Sequence, residues 1–386
     1  MVKLTAKAQM LTLSNIRQIS KQCHNQQGIN LGQGVCDLPL SEQLSQAAKQ
    51  AIDQGHNAYA PYEGIPELRR AIRQKMATFN QIELSSDDSV LVTQGVTAGL
   101  VCAIEALLEP NDEVIMFEPF YRFHYHLLTY HHVNVKTVHI DPMTGKYDPD
   151  ELINAVSSKT KAILLCNPHN PTGHVFTEQE LTQIGQLAID HDLAIISDEI
   201  YEYVTYHGQQ HHSIAKMKHL ADRTVTVTGF SKTYHVTGWR IGYLCGPQAW
   251  VEKMALIHDT LYMCTATPFQ HAALVALAQH DTYYEQMRYN YQEKRDYLIR
   301  ELNQLGFETN DPKGTYYLLV KLPEQANQSH LFAQQLLSEC NVAVLAGSEF
   351  YHDAQYGQDF IRLCFAKPFD EIKQAVKAFS DCCPEG

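Results

Sequence analysis

The stretch TGFSKTYHVTGWRIGY, residues 228–243, overlaps two apolar runs, 224–228 (TVTVT) and 241–245 (IGYLC), that read as β-strands. It carries one lysine, Lys232, among glycine, hydroxyl-bearing and aromatic residues, and Arg240 follows eight positions later. A lysine in a loop is ordinarily solvated. One held in a buried turn of this composition is a different reagent: desolvation and a neighbouring arginine lower its pKa and leave free amine able to attack an aldehyde. On this segment alone both readings stand.

Upstream, five more runs read as strands: 90–94 (VLVTQ), 113–118 (EVIMFE), 135–140 (VKTVHI), 161–166 (KAILLC) and 193–197 (LAIIS). They alternate with helical patterns, as a parallel sheet with crossover helices requires, and predict a seven-stranded sheet. Two helix starts are marked chemically. Asp148 precedes Pro149 as an N-cap acceptor, and Thr177 with Glu180 has the spacing of a capping box. After residue 285 the pattern changes to a long polar helix (285–305), the strand-like TYYLLVKL, a helix near 330–340, the strand FIRLCF and a last helix. This reads as an α+β lobe to which the first forty or so residues return as an arm and a short strand. The expected division is 45–284 against 1–44 with 285–386.

With 386 residues, 45% of them hydrophobic, the chain can bury a large core. A formal charge of -13 argues against a nucleic-acid partner, which calls for a basic stripe. No apolar run long enough for a membrane span and no leader pattern is seen, so a cytoplasmic protein without membrane contact is expected. The ten cysteines, such as Cys102, Cys166, Cys245 and Cys364, lie mostly in apolar strands and read as reduced; Cys382 and Cys383 sit in a tail too short to supply four ligands. The twenty histidines lack a carboxylate at helical spacing and read as core or solvated. No metal is expected.

Two further segments fall at strand ends, where open parallel sheets bind ligands. Asn167-Pro168-His169-Asn170-Pro171-Thr172-Gly173 either aims Asn170 at a ligand or is a loop built by two prolines. Asp198, closing LAIIS, is either a ligand carboxylate or a helix N-cap.

Taken in order, Thr93-Gln94-Gly95-Val96-Thr97-Ala98-Gly99, the Asn-Pro segment, Asp198 with Tyr201, Lys232 with Arg240, and Arg362 in FIRLCF resemble the class I aminotransferases of fold type I. The resemblance spans nearly the whole chain. YAPYEGIPELR, NPHNPTG, DEIYEYV and SKTYHVTGWRIGY are most similar to the branch with kynurenine, glutamine and methionine aminotransferases. It implies an α/β fold: a large domain with a mostly parallel seven-stranded sheet and a smaller α+β domain formed by both termini. It also implies pyridoxal 5'-phosphate carried by Lys232 as an internal aldimine. Asp198 would pair with the pyridine nitrogen, keeping it protonated so that the ring accepts electrons. Asn170 and Tyr201 would hydrogen-bond the phenolic oxygen, and Tyr121 would stack on the ring, with Phe120 and Phe123 in the core. Arg240 with Gly95, Val96 and Thr97 would bind the phosphate at a helix N-terminus. Arg362 would clamp the substrate α-carboxylate, with Asn170 beside it and Gly34 letting backbone approach. Tyr59 would reach the phosphate of the other subunit, which implies a homodimer with shared sites.

Two departures stand out. Gly229 occupies a position where relatives place a phosphate-binding hydroxyl, for which Ser231 is the available substitute, and Val35-Cys36 replaces an aromatic-proline pair. The implied activity is transfer of an amino group from an L-amino acid to a 2-oxo acid. Elimination or cyclisation at the β or γ carbon, as in cysteine-conjugate lyases, would use the same contacts. A ligand-sensing module would need an attached helix-turn-helix, for which there is little room. A nicotinamide enzyme would need a glycine fingerprint that is missing.

Overall fold

A computed structural model describes residues 3–9, 15–36, 38–324 and 328–382; Cys383 and the side chain of Cys382 lie outside them. Twelve strands appear among them: β1 (Ile29–Asn30), β2 (Val90–Thr93), β3 (Glu113–Glu118), β4 (Asn134–His139), β5 (Thr160–Cys166), β6 (Ala194–Asp198), β7 (Thr224–Gly229), β8 (Gly242–Cys245), β9 (Tyr317–Lys321), β10 (Val342–Ala343), β11 (Leu345–Ala346) and β12 (Phe360–Cys364). The seven expected strands form one sheet in the order β2-β8-β7-β6-β5-β3-β4, and β8 alone runs antiparallel to its neighbours. Strands β5 to β7 are almost wholly buried on both faces, as helix-covered parallel strands must be.

The local signals hold. Asp148 Oδ1 accepts from Asp150 N and caps the helix Pro149–Asn154. Thr177 and Glu180 form the reciprocal capping box of Glu178–Asp190. The long polar helix begins earlier than expected, spanning Asp281–Gln304, because Asp281 fills its first turn and favours the dipole.

Both chain ends meet in the second layer. β1 pairs in parallel with β10, and β9, β12 and β11 make an antiparallel sheet; Leu31 O, just after β1, accepts from Cys364 N at the end of β12. That pairing carries Gly34 and Arg362 toward each other across the chain. Among the described residues seven cysteines are free, most of them buried, but Cys340 is disulfide-bonded, against the expectation that all are reduced. It ends the helix Ser329–Cys340; of the free thiols only Cys166, Cys245 and Cys364 lie on strands, and Cys102, expected on one, lies in the helix Gly95–Leu107. No helix among the described residues is long and apolar enough to cross a membrane.

Candidate active site

The carboxyl ends of β2, β3, β5, β6 and β7 converge on a cavity of about 630 Å³. Gly34, Val96, Thr97, Tyr121, Asn170, Asp198, Tyr201, Ser231, Lys232, Arg240 and Arg362 all line it. Gly95 stands just behind, and Tyr59 lies elsewhere, 78% exposed.

Lys232 follows the end of β7, and its Nζ donates to Gly34 O at 3.0 Å. Burial lowers its pKa to about 8, with a smaller push from the Arg362 charge, while Cys364, Cys36 and Asp198 act the other way. The arginine that contributes is therefore Arg362, brought in by the tertiary fold, rather than Arg240 eight residues on. Asp198 ends β6 nearly buried; its Oδ1 accepts from Ile200 N at 3.1 Å, and its Oδ2 lies 2.8 Å from His124 Nε2. No helix begins here, since residues 200–203 form a turn; Asp198 therefore closes a turn rather than capping a helix, and the same carboxylate lines the cavity. Tyr201 OH meets Tyr317 OH at 2.9 Å, and burial raises the pKa of both, so both stay protonated.

Arg362 is fully buried on β12. Its Nη1 donates to Asn170 Oδ1 at 3.0 Å and its Nη2 to Gly32 O at 2.9 Å. Its guanidinium carbon lies 3.9 Å from the Tyr317 ring centre and 4.8 Å from that of Phe350. Nε is buried with no partner among the described residues. Such a cation stays favourable only when an anion joins it.

Gly34 also makes room for a protein side chain: a Cβ there would fall on the Tyr317 hydroxyl. Gly229 is explained too: a Cβ would lie 2.7 Å from Gly242 Cα, so β7 and β8 pack too closely here for a serine or threonine. At the opposite corner, Gly95 (φ 74°) opens the helix Gly95–Leu107, and a Cβ on it would stand 2.5 Å from Arg240 Nη2. Arg240 is itself left-handed at φ 55°, which turns its side chain back to that helix N-terminus. A guanidinium against the first turn of a helix is an anion site.

His124 was not foreseen. It lies on Arg122–Tyr130 and its partner Asp198 is 74 positions away, so no local pattern marks it. Phe123, expected in the core, lines the cavity because that helix turns its first residues toward the site; Phe120 is buried as expected. Glu199 and Glu202 point away from the cavity into a buried network. Lys75 Nζ lies 2.5 Å from Glu202 Oε1, Asn80 Nδ2 donates to Glu202 Oε2 at 2.7 Å, and His211 Nε2 lies 2.9 Å from Glu199 Oε2. These two carboxylates and His211 could hold a metal by proximity, but the Lys75 ammonium already supplies a cation there.

A lysine with free amine, a buried carboxylate and arginines at two corners suit a ligand with an aldehyde, a basic ring nitrogen and two anionic ends. Comparison with known proteins decides the family. The profile of aminotransferase class I and II matches residues 26–379. The chain belongs to that family. The enzyme is 32% identical over 377 residues to aromatic-amino-acid aminotransferase 2 of Thermococcus litoralis, covering 97% of this chain and 96% of the relative. It is 33% identical to methionine aminotransferase of Escherichia coli, covering 93% of each. Among solved structures, N-succinyldiaminopimelate aminotransferase from Mycobacterium tuberculosis superposes with a TM-score of 0.94 at 30% identity, over 98% of this chain and 100% of that one. The protein is thus an aminotransferase enzyme of fold type I, and the family implies pyridoxal phosphate as cofactor. Relatives named for different amino acids lie at nearly equal identity, so none of them assigns the substrate.

Proposed function

We propose that the enzyme transfers an amino group between an L-amino acid and a 2-oxo acid in two half-reactions, with Lys232 holding pyridoxal phosphate and moving the proton. The half-buried Lys232 amine, with its pKa brought to about 8 in a cavity shared with Asp198 and Arg362, is the observation that carries this reading. When bound, the cofactor supplies an aldehyde for amines and a ring that takes up the electron pair left at the amino acid's α-carbon.

Around it each side chain has one task. Asp198, steadied by His124, would face the ring nitrogen and favour its protonated form. Asn170 and Tyr201 would sit at the phenolic oxygen, and Tyr121 against the ring face. Arg240, the amides of Gly95, Val96 and Thr97, and Ser231 would receive the phosphate. Arg362 would grip the α-carboxylate, completing its coordination through Nε. Lys232 Nζ, released once substrate has displaced it, would take the proton from the α-carbon. Residues 45–284 would form the cofactor-binding domain, and 1–44 with 285–386 the smaller one.

The same reading makes the enzyme a cytoplasmic homodimer with Tyr59 lent across the interface. Tyr59 is exposed, and its neighbour Ala58 O accepts from Thr267 Oγ1 at 2.6 Å. Leu256, Leu261 and Met263, each at least half exposed, flank the cavity residue Tyr262. Such apolar exposure is what an interface covers.

The test is to offer each proteinogenic amino acid with pyruvate, 2-oxoglutarate or glyoxylate and follow oxo-acid formation and ammonia together. Stoichiometric oxo acid that depends on the acceptor supports transamination. Ammonia released without an acceptor would replace it with elimination.

A further inference from the structure

The Lys232 amine ends a long flexible stem, yet its Nζ rests on one acceptor, the carbonyl of Gly34. That carbonyl belongs to residues 31–40, which form no helix or strand among the described residues. Its position is therefore set by side chains. Tyr316 OH shares it, donating to Gly34 O at 3.1 Å. Two residues on stands Cys36, half of the Val35-Cys36 pair that replaces an aromatic residue and a proline.

What Cys36 meets is Tyr291, fully buried on the helix Asp281–Gln304. The Tyr291 hydroxyl lies 3.1 Å from Cys36 Sγ and 3.1 Å from His235 Nε2. His235 comes three residues after Lys232 and is left-handed at φ 58°, a conformation that persists outside glycine only where neighbours fix it. Burial, helped by the Lys294 charge, lowers its pKa and keeps the ring neutral. The Pro39 backbone, which offers a carbonyl and no N–H, also engages that ring. The single ring proton is thus given to Pro39, and Nε2 accepts from Tyr291. The Tyr291 oxygen is then left to accept from the Cys36 thiol, a donor that proline would lack. The same helix also grips the two residues before His235: Tyr283 OH donates to Thr233 O at 2.8 Å, and Tyr284 OH meets Tyr234 OH at 2.7 Å.

We propose that Tyr291 is a positioning residue for Lys232, its hydroxyl joining the segment that carries the Gly34 acceptor to the loop that carries the amine. The contacts close a ring, from Lys232 through Gly34, Cys36, Tyr291 and His235 back to the lysine loop. The inference rests on the reading in which Lys232 holds the cofactor, and it deepens that reading. Tyr291 does not line the cavity, so it acts only through these neighbours. With the ring closed, the amine is held in one place for attack. With it open, the amine spreads over other rotamers and toward water, which favours its protonated and unreactive form.

The experiment compares wild type with Tyr291→Phe, Cys36→Ala, Cys36→Ser and the double variant Tyr291→Phe/Cys36→Ala, with thermal melts to confirm that all fold. Stopped-flow attachment of pyridoxal phosphate to apo-protein should slow by about fivefold in Tyr291→Phe, and kcat should fall by a similar factor while KM for 2-oxoglutarate stays within about twofold. Cys36→Ala should slow attachment by about threefold, and Cys36→Ser, which restores a donor, should recover most of that loss. The double variant should be no slower than Tyr291→Phe alone, because both lesions act through one hydroxyl. In parallel, limited acetylation of apo-protein with acetic anhydride at about pH 7.5, read by peptide mapping, measures the Lys232 amine without cofactor. Labelling of Lys232 relative to exposed lysines should fall by about threefold in Tyr291→Phe. A Tyr291→Phe protein that melts lower but keeps wild-type attachment and labelling would make Tyr291 a packing residue only, and additive losses in the double variant would break the ring at Cys36; either result overturns the proposal. If wild type forms no imine, the transamination reading fails, and the acetylation of Lys232 still decides the role of Tyr291.

Discussion

Burial around Lys232 brings its amine to about 8, and only the free amine attacks an aldehyde. The sign follows directly. Below about 8 the folded protein holds the protonated form, so attachment of cofactor to apo-protein should slow as pH falls and level off above it. Stopped-flow absorbance between about pH 6 and 11, spanning the shifted and ordinary lysine values, measures this; a flat profile would show that the amine is not the rate-controlling group. Asp198 offers a second residue-scale test. An amide of the same shape keeps an oxygen for Ile200 N but puts a donor where Oδ2 accepted from His124, and it carries no charge. Asp198→Asn should therefore lower kcat by about a hundredfold or more while cofactor occupancy, read by absorbance titration, stays near that of wild type. Near-normal turnover would reduce Asp198 to closing a turn.

The catalytic set is delivered by turns that leave strand ends, and the turn from β2 into Gly95–Leu107 is the tightest. Gly95 needs both a left-handed backbone and empty space beside Arg240. Gly95→Ala should weaken pyridoxal phosphate binding by about tenfold or more, measured by equilibrium dialysis, with a smaller loss in thermal stability. Such turns are legible in sequence because their chemistry is local: Thr177 and Glu180 mark a helix start three residues apart, and strands β2 to β8 announce themselves as short apolar runs. His124 and Tyr317 are not legible in that way. The former acts through Asp198 and the latter through Gly34, Tyr201 and Arg362, partners that only the folded chain brings near. The early start of the helix at Asp281 was missed because its first turn carries no apolar periodicity of its own.

Across the whole molecule, the site depends on segments from both ends of the chain. Gly34 receives the Lys232 amine, and Arg362 lies on β12, while β1 and β10 tie the amino-terminal arm to the carboxyl-terminal part. Tyr59 extends that logic to a second chain. In a two-fold dimer each Tyr59 would serve the partner's phosphate corner. Lys232→Ala and Tyr59→Ala chains, both impaired alone, should regain activity when allowed to exchange subunits, up to about half of wild type per mixed dimer, since one of its two sites is then free of both lesions. Demonstrated exchange without recovery would place Tyr59 within its own chain.

The most direct test of the central claim is borohydride reduction of the protein loaded with pyridoxal phosphate, followed by peptide mapping. The account predicts that the cofactor becomes fixed to Lys232 and that Lys232→Ala yields no labelled peptide. A label on any other lysine, or undiminished labelling in that variant, would contradict it.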